Sequence, residues 1–251
     1  MSNYLITGIA GFIAARIRGV IASRWSHRRW RGQHERRVRS AHQGISPQKL
    51  QAMKGSTFHQ LDVADKSIIE KFKGEKFDAV IKLRRGAGVR SSVENPWVFV
   101  ETNMIGTLNM LELCKENGIK KFVVASTSSI YGEDLAYPTP ESADSSKPPN
   151  RMRQAKKGAG AMCYAYHHLY GIDVSIPRFF TVYGPAGRPD LAHLRFTQWI
   201  SEGKPVRQRR RESIADSRTL TTSCAARSLR SSRLASRSST SAGMKLSRST
   251  N

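Results

Sequence analysis

Asn3-Tyr4-Leu5-Ile6-Thr7-Gly8-Ile9-Ala10-Gly11-Phe12-Ile13-Ala14 is the stretch that decides the fold. Asn3 to Thr7 is a short apolar strand, and Gly8-x-x-Gly11-x-x-Ala14 turns it directly into a helical run that reaches about Ile21. A strand that enters a helix through closely spaced glycines presents backbone N–H groups and the positive helix end to a pyrophosphate. Such turns are common, so the rest of the chain has to decide between a dinucleotide site and a plain turn. The third position is normally glycine for close helix–strand contact; Ala14 is expected to cost about 1–3 kcal/mol if the gap cannot adjust.

Beyond this unit the periodicity alternates. Thr57 to Leu61 reads as a strand ending at Asp62-Val63, Lys66 to Phe72 as a helix, and Asp78 to Leu83 as a buried parallel strand followed oddly by Arg84-Arg85. Pro96 to Asn117 reads as one long amphipathic helix with Val98, Val100, Met104, Leu108, Leu111 and Leu113 on its apolar face, and Gly118 stops it. Lys121 to Ser126 is the next strand, Lys157 to Tyr170 the next helix and Asp173 to Arg178 another strand. Alternation of this kind predicts an α/β fold with a doubly wound parallel sheet. The expected organisation is one alternating domain over residues 1–180, irregular at 22–54, then a further segment at 181–206. An Arg/Ser-rich tail at 207–251 has too few apolar residues to support a core and is expected to be disordered.

The chain carries a formal charge of +23, which alone would suggest a nucleic-acid or anionic-membrane partner. The charge is local. Arg16 to His42 holds nine arginines against Glu35, a net of +8, and Pro205 to Asn251 holds eleven Lys or Arg against Glu212 and Asp216, a net of +9. These segments have no interleaved aromatics beyond Trp25 and Trp30, so any nucleic-acid binding through them would be non-specific and lost as salt rises. Cys114, Cys163 and Cys224 are widely spaced, which fits free thiols in a reducing compartment better than disulfides or zinc, and no metal site is expected. No basic segment precedes an apolar leader, and no apolar run approaches the roughly 20 residues of a membrane span. A soluble cytoplasmic protein is expected.

Five motifs stand in order: Thr7-Gly8-x-x-Gly11-Phe12-Ile13, Ala87-Gly88-Val89-Arg90-x-Ser92, Asn103-x-x-Gly106-Thr107-Leu108-Asn109, Ser126-Thr127-Ser128-Ser129-Ile130-Tyr131-Gly132 and Arg178-Phe179-Phe180-Thr181-Val182-Tyr183-Gly184-Pro185. Together they resemble the extended short-chain dehydrogenase/reductase family, over most of residues 1–21 and 55–206. Gly187-Arg188-Pro189-Asp190 most resembles its UDP-glucuronate 4-epimerase branch.

The resemblance implies a Rossmann-type fold, NAD as cofactor, a UDP-sugar of the glucuronate class as substrate, and epimerisation through a transient 4-keto sugar. By the same resemblance, residues 1–180 are a dinucleotide-binding domain and 181–206 a remnant of a substrate domain. It implies cofactor contacts from Gly8, Gly11, Phe12, Ile13, Asp62, Val63, Leu83 and Lys156, with Asp62-Val63 at the adenine edge. It assigns Thr127 to the reacting oxygen, Ser128, Ser129 and Thr181 to the glucuronate carboxylate, and Arg188 to the nucleotide end. It also implies a homodimer pairing through the helices at Pro96–Asn117 and Lys157–Tyr170. Lys156 matches the lysine of the family's Tyr-x-x-x-Lys, which holds the cofactor ribose and lowers the tyrosine's pKa. The tyrosine slot holds Met152. Methionine exchanges no proton, and general acid–base catalysis contributes about 10²–10⁴-fold, so activity is expected to be impaired or lost.

The departures share one reading in the genetic code. Asn150 to Ala155 can be spelled so that a neighbouring frame gives Gln-Pro-Tyr-Ala-Ala, the family's text around its tyrosine. Arg29 to Arg39 and Ser217 to Ser228 can likewise be spelled to yield the second strand with its ribose-binding aspartate and a substrate-domain segment. Frameshifts would thus account for the arginine-rich stretches, leaving the second strand and the C-terminal domain disrupted, with a gap or irregular filler in the sheet and low solubility. Two alternatives stand beside the epimerase: a nucleotide-sugar 4,6-dehydratase or decarboxylase of the same family, and the non-specific nucleic-acid binder. A dehydratase usually places acidic residues directly after the threonine, where Ser128-Ser129 stand here.

Overall fold

The computed structural model describes residues 3–17, 29–34, 56–83, 95–131, 139–145, 151–184, 187, 192–205, 217–219 and 237–239. Seven strands run parallel in one sheet: β1 (Asn3–Thr7), β2 (Arg29–His34), β3 (Ser56–Gln60), β4 (Ala79–Lys82), β5 (Lys121–Val124), β7 (Asp173–Phe179) and β10 (Arg237–Ser239). Their spatial order is β10-β7-β5-β4-β1-β2-β3, and the short β6 (Ser126–Thr127) also pairs with β7. From β1 the chain winds outward to β2 and β3, then crosses back to β4 and winds the other way. The reversal falls between β1 and β4, the place where open parallel sheets form a ligand crevice. β8 (Thr181–Tyr183) and β9 (Ser217–Thr219) form a separate parallel pair.

Side chains alternate across the strands, so each face feeds its own core. Tyr4, Ile6, Ile81 and Val123 pack with Ala14 and Ile17 of α1 (residues 12–17) on one face. Leu5, Val80, Phe122 and Val124 pack on the other face with Ile68 of α2 (Ser67–Lys71), Met110, Leu111 and Leu113 of α4 (Gly106–Glu116), and Cys163 of α5 (Arg151–Tyr170). An α/β sheet covered on both faces is the expected architecture, and it is the one found.

Four expectations need correction. The slot of the second strand is filled: β2 pairs in register with β1 on one side and β3 on the other. Ladder bonds come from the backbone, so an extended Arg-Trp-Arg-Gly-Gln-His segment can supply them whatever its side chains. The rest of 22–54 lies outside the described residues. The tail expected to be wholly disordered contributes β9, beside β8, and β10, which lies against the outer edge of β7; an edge strand offers unpaired N–H and C=O groups to any extended chain. The expected single helix Pro96–Asn117 is α3 (Pro96–Val100), a π-turn (Glu101–Ile105) and then α4. The extra residue of a π-turn rotates the face that follows. Thr102, Asn103 and Thr107 are buried, while Val100, just before the turn, is exposed. Finally, the strand expected at Lys121–Ser126 breaks at Ala125, with a consequence for the site.

Candidate functional site

Gly8 leaves β1 with φ at 71°, a conformation that favours glycine. The Gly11 N–H returns to the Gly8 carbonyl at 2.8 Å, and a Cβ on Gly11 would lie only 3.0 Å from that oxygen. Both glycines are therefore required by the turn that opens α1. Phe12 and Ile13 are half-buried against the core on the α1 face. Ala14 is 2% exposed in that core, so its methyl is accommodated by burial among apolar neighbours.

Asp62 and Val63 follow β3. The exposed Asp62 accepts the Ala64 N–H at 2.9 Å and shapes the turn, while Val63 is buried and its carbonyl accepts from Asn109 Nδ2 at 2.9 Å. This fastens the strand end to α4. Leu83, just past β4, is half-buried beside the α1 core. Arg84 and Arg85 lie outside the described residues.

At Ala125 the chain steps from β5 to β6. The Ala125 N–H bonds the Lys82 carbonyl at 2.9 Å, and its own carbonyl accepts from Lys156 Nζ at 2.6 Å. Lys156 is 4% exposed, and Met152, four residues earlier on the same helix, is 5% exposed. Positions i and i+4 stack on one helix face, so Met152 and Lys156 share a face of α5. Ser126 and Thr127 are buried on β6, Thr127 Oγ1 accepts the Ser129 N–H at 3.3 Å, and Ser128 and Ser129 are half-buried. The structure thus gathers the glycine turn, Leu83, Thr127, Met152 and Lys156 at the carboxyl ends of adjacent parallel strands. Thr181 stands exposed on β8, beyond the end of β7, and Arg188 lies outside the described residues.

Sequence reasoning missed two groupings here. Arg178 of β7 lays its guanidinium 4.9 Å from the centre of the Tyr131 ring, donates to Tyr131 Oη at 2.8 Å and to the Glu141 carbonyl at 3.3 Å. It ties the turn at Ser128–Tyr131 to segment 139–145, which Lys157 also holds through the Ser145 carbonyl at 2.7 Å. The second is Lys82, a lysine at the end of an otherwise apolar strand; its position inside Ala79-Val80-Ile81-Lys82-Leu83 was a signal available in the sequence.

The glycine turn fits the diphosphate of a dinucleotide, and Lys156 supplies a buried donor at the neighbouring strand end. The end of β2 fits less well: Gln33-His34 stand there in place of a carboxylate that could accept from ribose hydroxyls. Among the described residues no group of three His, Cys, Asp or Glu is placed to hold a metal ion, and no helix is long and apolar enough to cross a membrane.

A family model described as the NAD dependent epimerase/dehydratase family matches residues 4–209. The UDP-glucuronate 4-epimerase of Thermodesulfobacterium geofontis is 41% identical over 222 residues, covering 82% of this chain and 64% of that protein. The chain therefore spans less than two thirds of the length of that relative. Among solved structures, the UDP-glucuronic acid 4-epimerase of Bacillus cereus, in complex with UDP-glucuronic acid and NAD, is 26% identical with a TM-score of 0.73, covering 88% of this chain and 70% of that one. The dTDP-glucose 4,6-dehydratase of Streptomyces venezuelae shares the fold at a TM-score of 0.76 and 24% identity, covering 88% of this chain and 69% of that one.

Proposed function

The chain belongs to the NAD-dependent epimerase/dehydratase family, and we propose that it is a UDP-glucuronate 4-epimerase type of protein that binds NAD and a UDP-sugar but has lost proton exchange at Met152. The observation that carries this reading is the pairing of a retained Lys156 with a buried methionine one helical turn away. When bound, NAD supplies the acceptor and donor of hydride. Gly8 and Gly11 leave room for its diphosphate, and Lys156 holds the ribose. Thr127 donates its hydroxyl to the reacting sugar oxygen, and Ser128 and Ser129 face the carboxylate. A thioether in the remaining position neither takes nor returns a proton. Ser128-Ser129 after Thr127 favour the epimerase over the dehydratase, which usually carries acids at that point.

The test compares the chain with Met152→Tyr for bound NAD, UDP-glucuronate binding and conversion to the 4-epimer. The unaltered chain binds NAD with no measurable turnover, and the substitution raises turnover by about 10²–10⁴-fold over that baseline. Failure of both proteins to retain NAD would overturn the binding half of the proposal. Turnover by the unaltered chain at the rate of the Met152→Tyr variant would overturn the catalytic half.

A further inference from the structure

β4 ends in a lysine where the sheet is driest. Lys82 is fully buried and flanked in register by Thr7 of β1 and Val124 of β5. Its ammonium donates to the Thr102 carbonyl, in the π-turn, at 2.8 Å. Among the described residues this is its one hydrogen bond, and no carboxylate pairs with it. An ammonium carries three donors, and a buried charge without a counter-ion is strongly disfavoured. The stem runs beside Gly106: a Cβ there would lie 3.5 Å from Lys82 Cε and 2.7 Å from Val63 Cγ2.

Among the described residues no neighbour offers compensation. β1 and β5 present Thr7 and Val124 at this level, neither titratable. The π-turn contributes Thr102 and Asn103, both buried and uncharged, with Asn103 Oδ1 buried and lacking a hydrogen-bond partner. Across from it, α5 brings Cys163, which lies within electrostatic reach of both Lys82 and Lys156. Burial pushes the Cys163 thiol up to about 12, so at neutral pH it is no anion. Among the described residues the charge acting on Cys163 comes from Lys82 and Lys156, and the thiol itself is neutral.

We propose that Lys82 is a proton-operated joint between β4 and the π-turn, which loosens the core when it takes up a proton and tightens it when it gives one up. Desolvation draws its pKa from 10.5 down to about 7. The folded value lies below the unfolded one, so between about 7 and 10.5 folding expels a proton and stability rises with pH. Below about 7 both states keep the proton and the whole penalty is present; above 10.5 neither state carries it. The joint also touches the site's frame, because the Lys82 carbonyl holds Ala125, whose own carbonyl holds Lys156. This inference does not depend on the enzymatic reading.

Urea unfolding of the full chain and of Lys82→Met, from about pH 6.5 to about pH 9.5, reads the effect directly. The unaltered chain's folding equilibrium constant climbs by up to tenfold per pH unit, and the variant lacks that climb and exceeds the original most at the acid end. Parallel profiles for the two proteins would overturn the proposal. Should the variant not fold, the folded unaltered chain labelled with 13Cε-lysine provides the measure. A lysine resonance with its midpoint near 7 is expected, and titration of every lysine near 10.5 would overturn the proposal.

Discussion

A methionine sulfur has no proton to give, and Met152 takes its buried place on α5 as an apolar side chain does. Lys156 is the complementary case: its ammonium is already aimed at the strand end by the Ala125 carbonyl. A hydrogen bond to a charged group contributes about 1.5–3 kcal/mol, so Lys156→Met is expected to weaken NAD binding by roughly 10- to 100-fold, measured by calorimetric titration. A second prediction concerns the bond that Tyr166 donates to Glu112 across α5 and α4, which helps hold the Glu112 carboxyl below its usual range. Tyr166→Phe is expected to destabilise the fold by about 1 kcal/mol in urea unfolding. Gly8 and Gly11 were legible in the sequence because the turn they serve is local, whereas Thr127 and Lys156 were named by the family resemblance, since the Ala125 carbonyl that Lys156 meets lies 31 residues away. The partners of Lys82 and Arg178 were not legible, because they stand 20 and 47 residues away.

Glycines separate at the scale of the element. Gly106 opens α4 where Val63 crosses it, and a methyl there would meet Val63 Cγ2 at 2.7 Å. Gly106→Ala is expected to destabilise by about 1–3 kcal/mol. Gly160, inside α5, has Ile176 Cδ1 at 3.9 Å as the nearest atom to an added methyl. Gly160→Ala is expected to stabilise by about 0.5–1 kcal/mol through helix propensity, and thermal unfolding of the two variants checks the opposite signs. Strand and helix order was readable from periodicity, since runs such as Ala79-Val80-Ile81 permit little else. The π-turn was not: Glu101 to Ile105 differ in no propensity from the helix around them, and the bulge is visible only in which side chains end up buried.

For the whole molecule, α3, the π-turn and α5 leave Trp97, Val100, Ile105, Tyr164, Leu169 and Tyr170 exposed. Large apolar side chains left exposed fit an association face. Pairing of two copies through it is expected, with Tyr164→Glu combined with Leu169→Glu shifting the mass seen by light scattering from dimer to monomer.

β2 has one more consequence. An arginine-rich hexapeptide serves as an inner rung of the ladder because main-chain amides and carbonyls bond alike under any side chains. The sheet can therefore close its ladder without the side chains that a particular reaction would need.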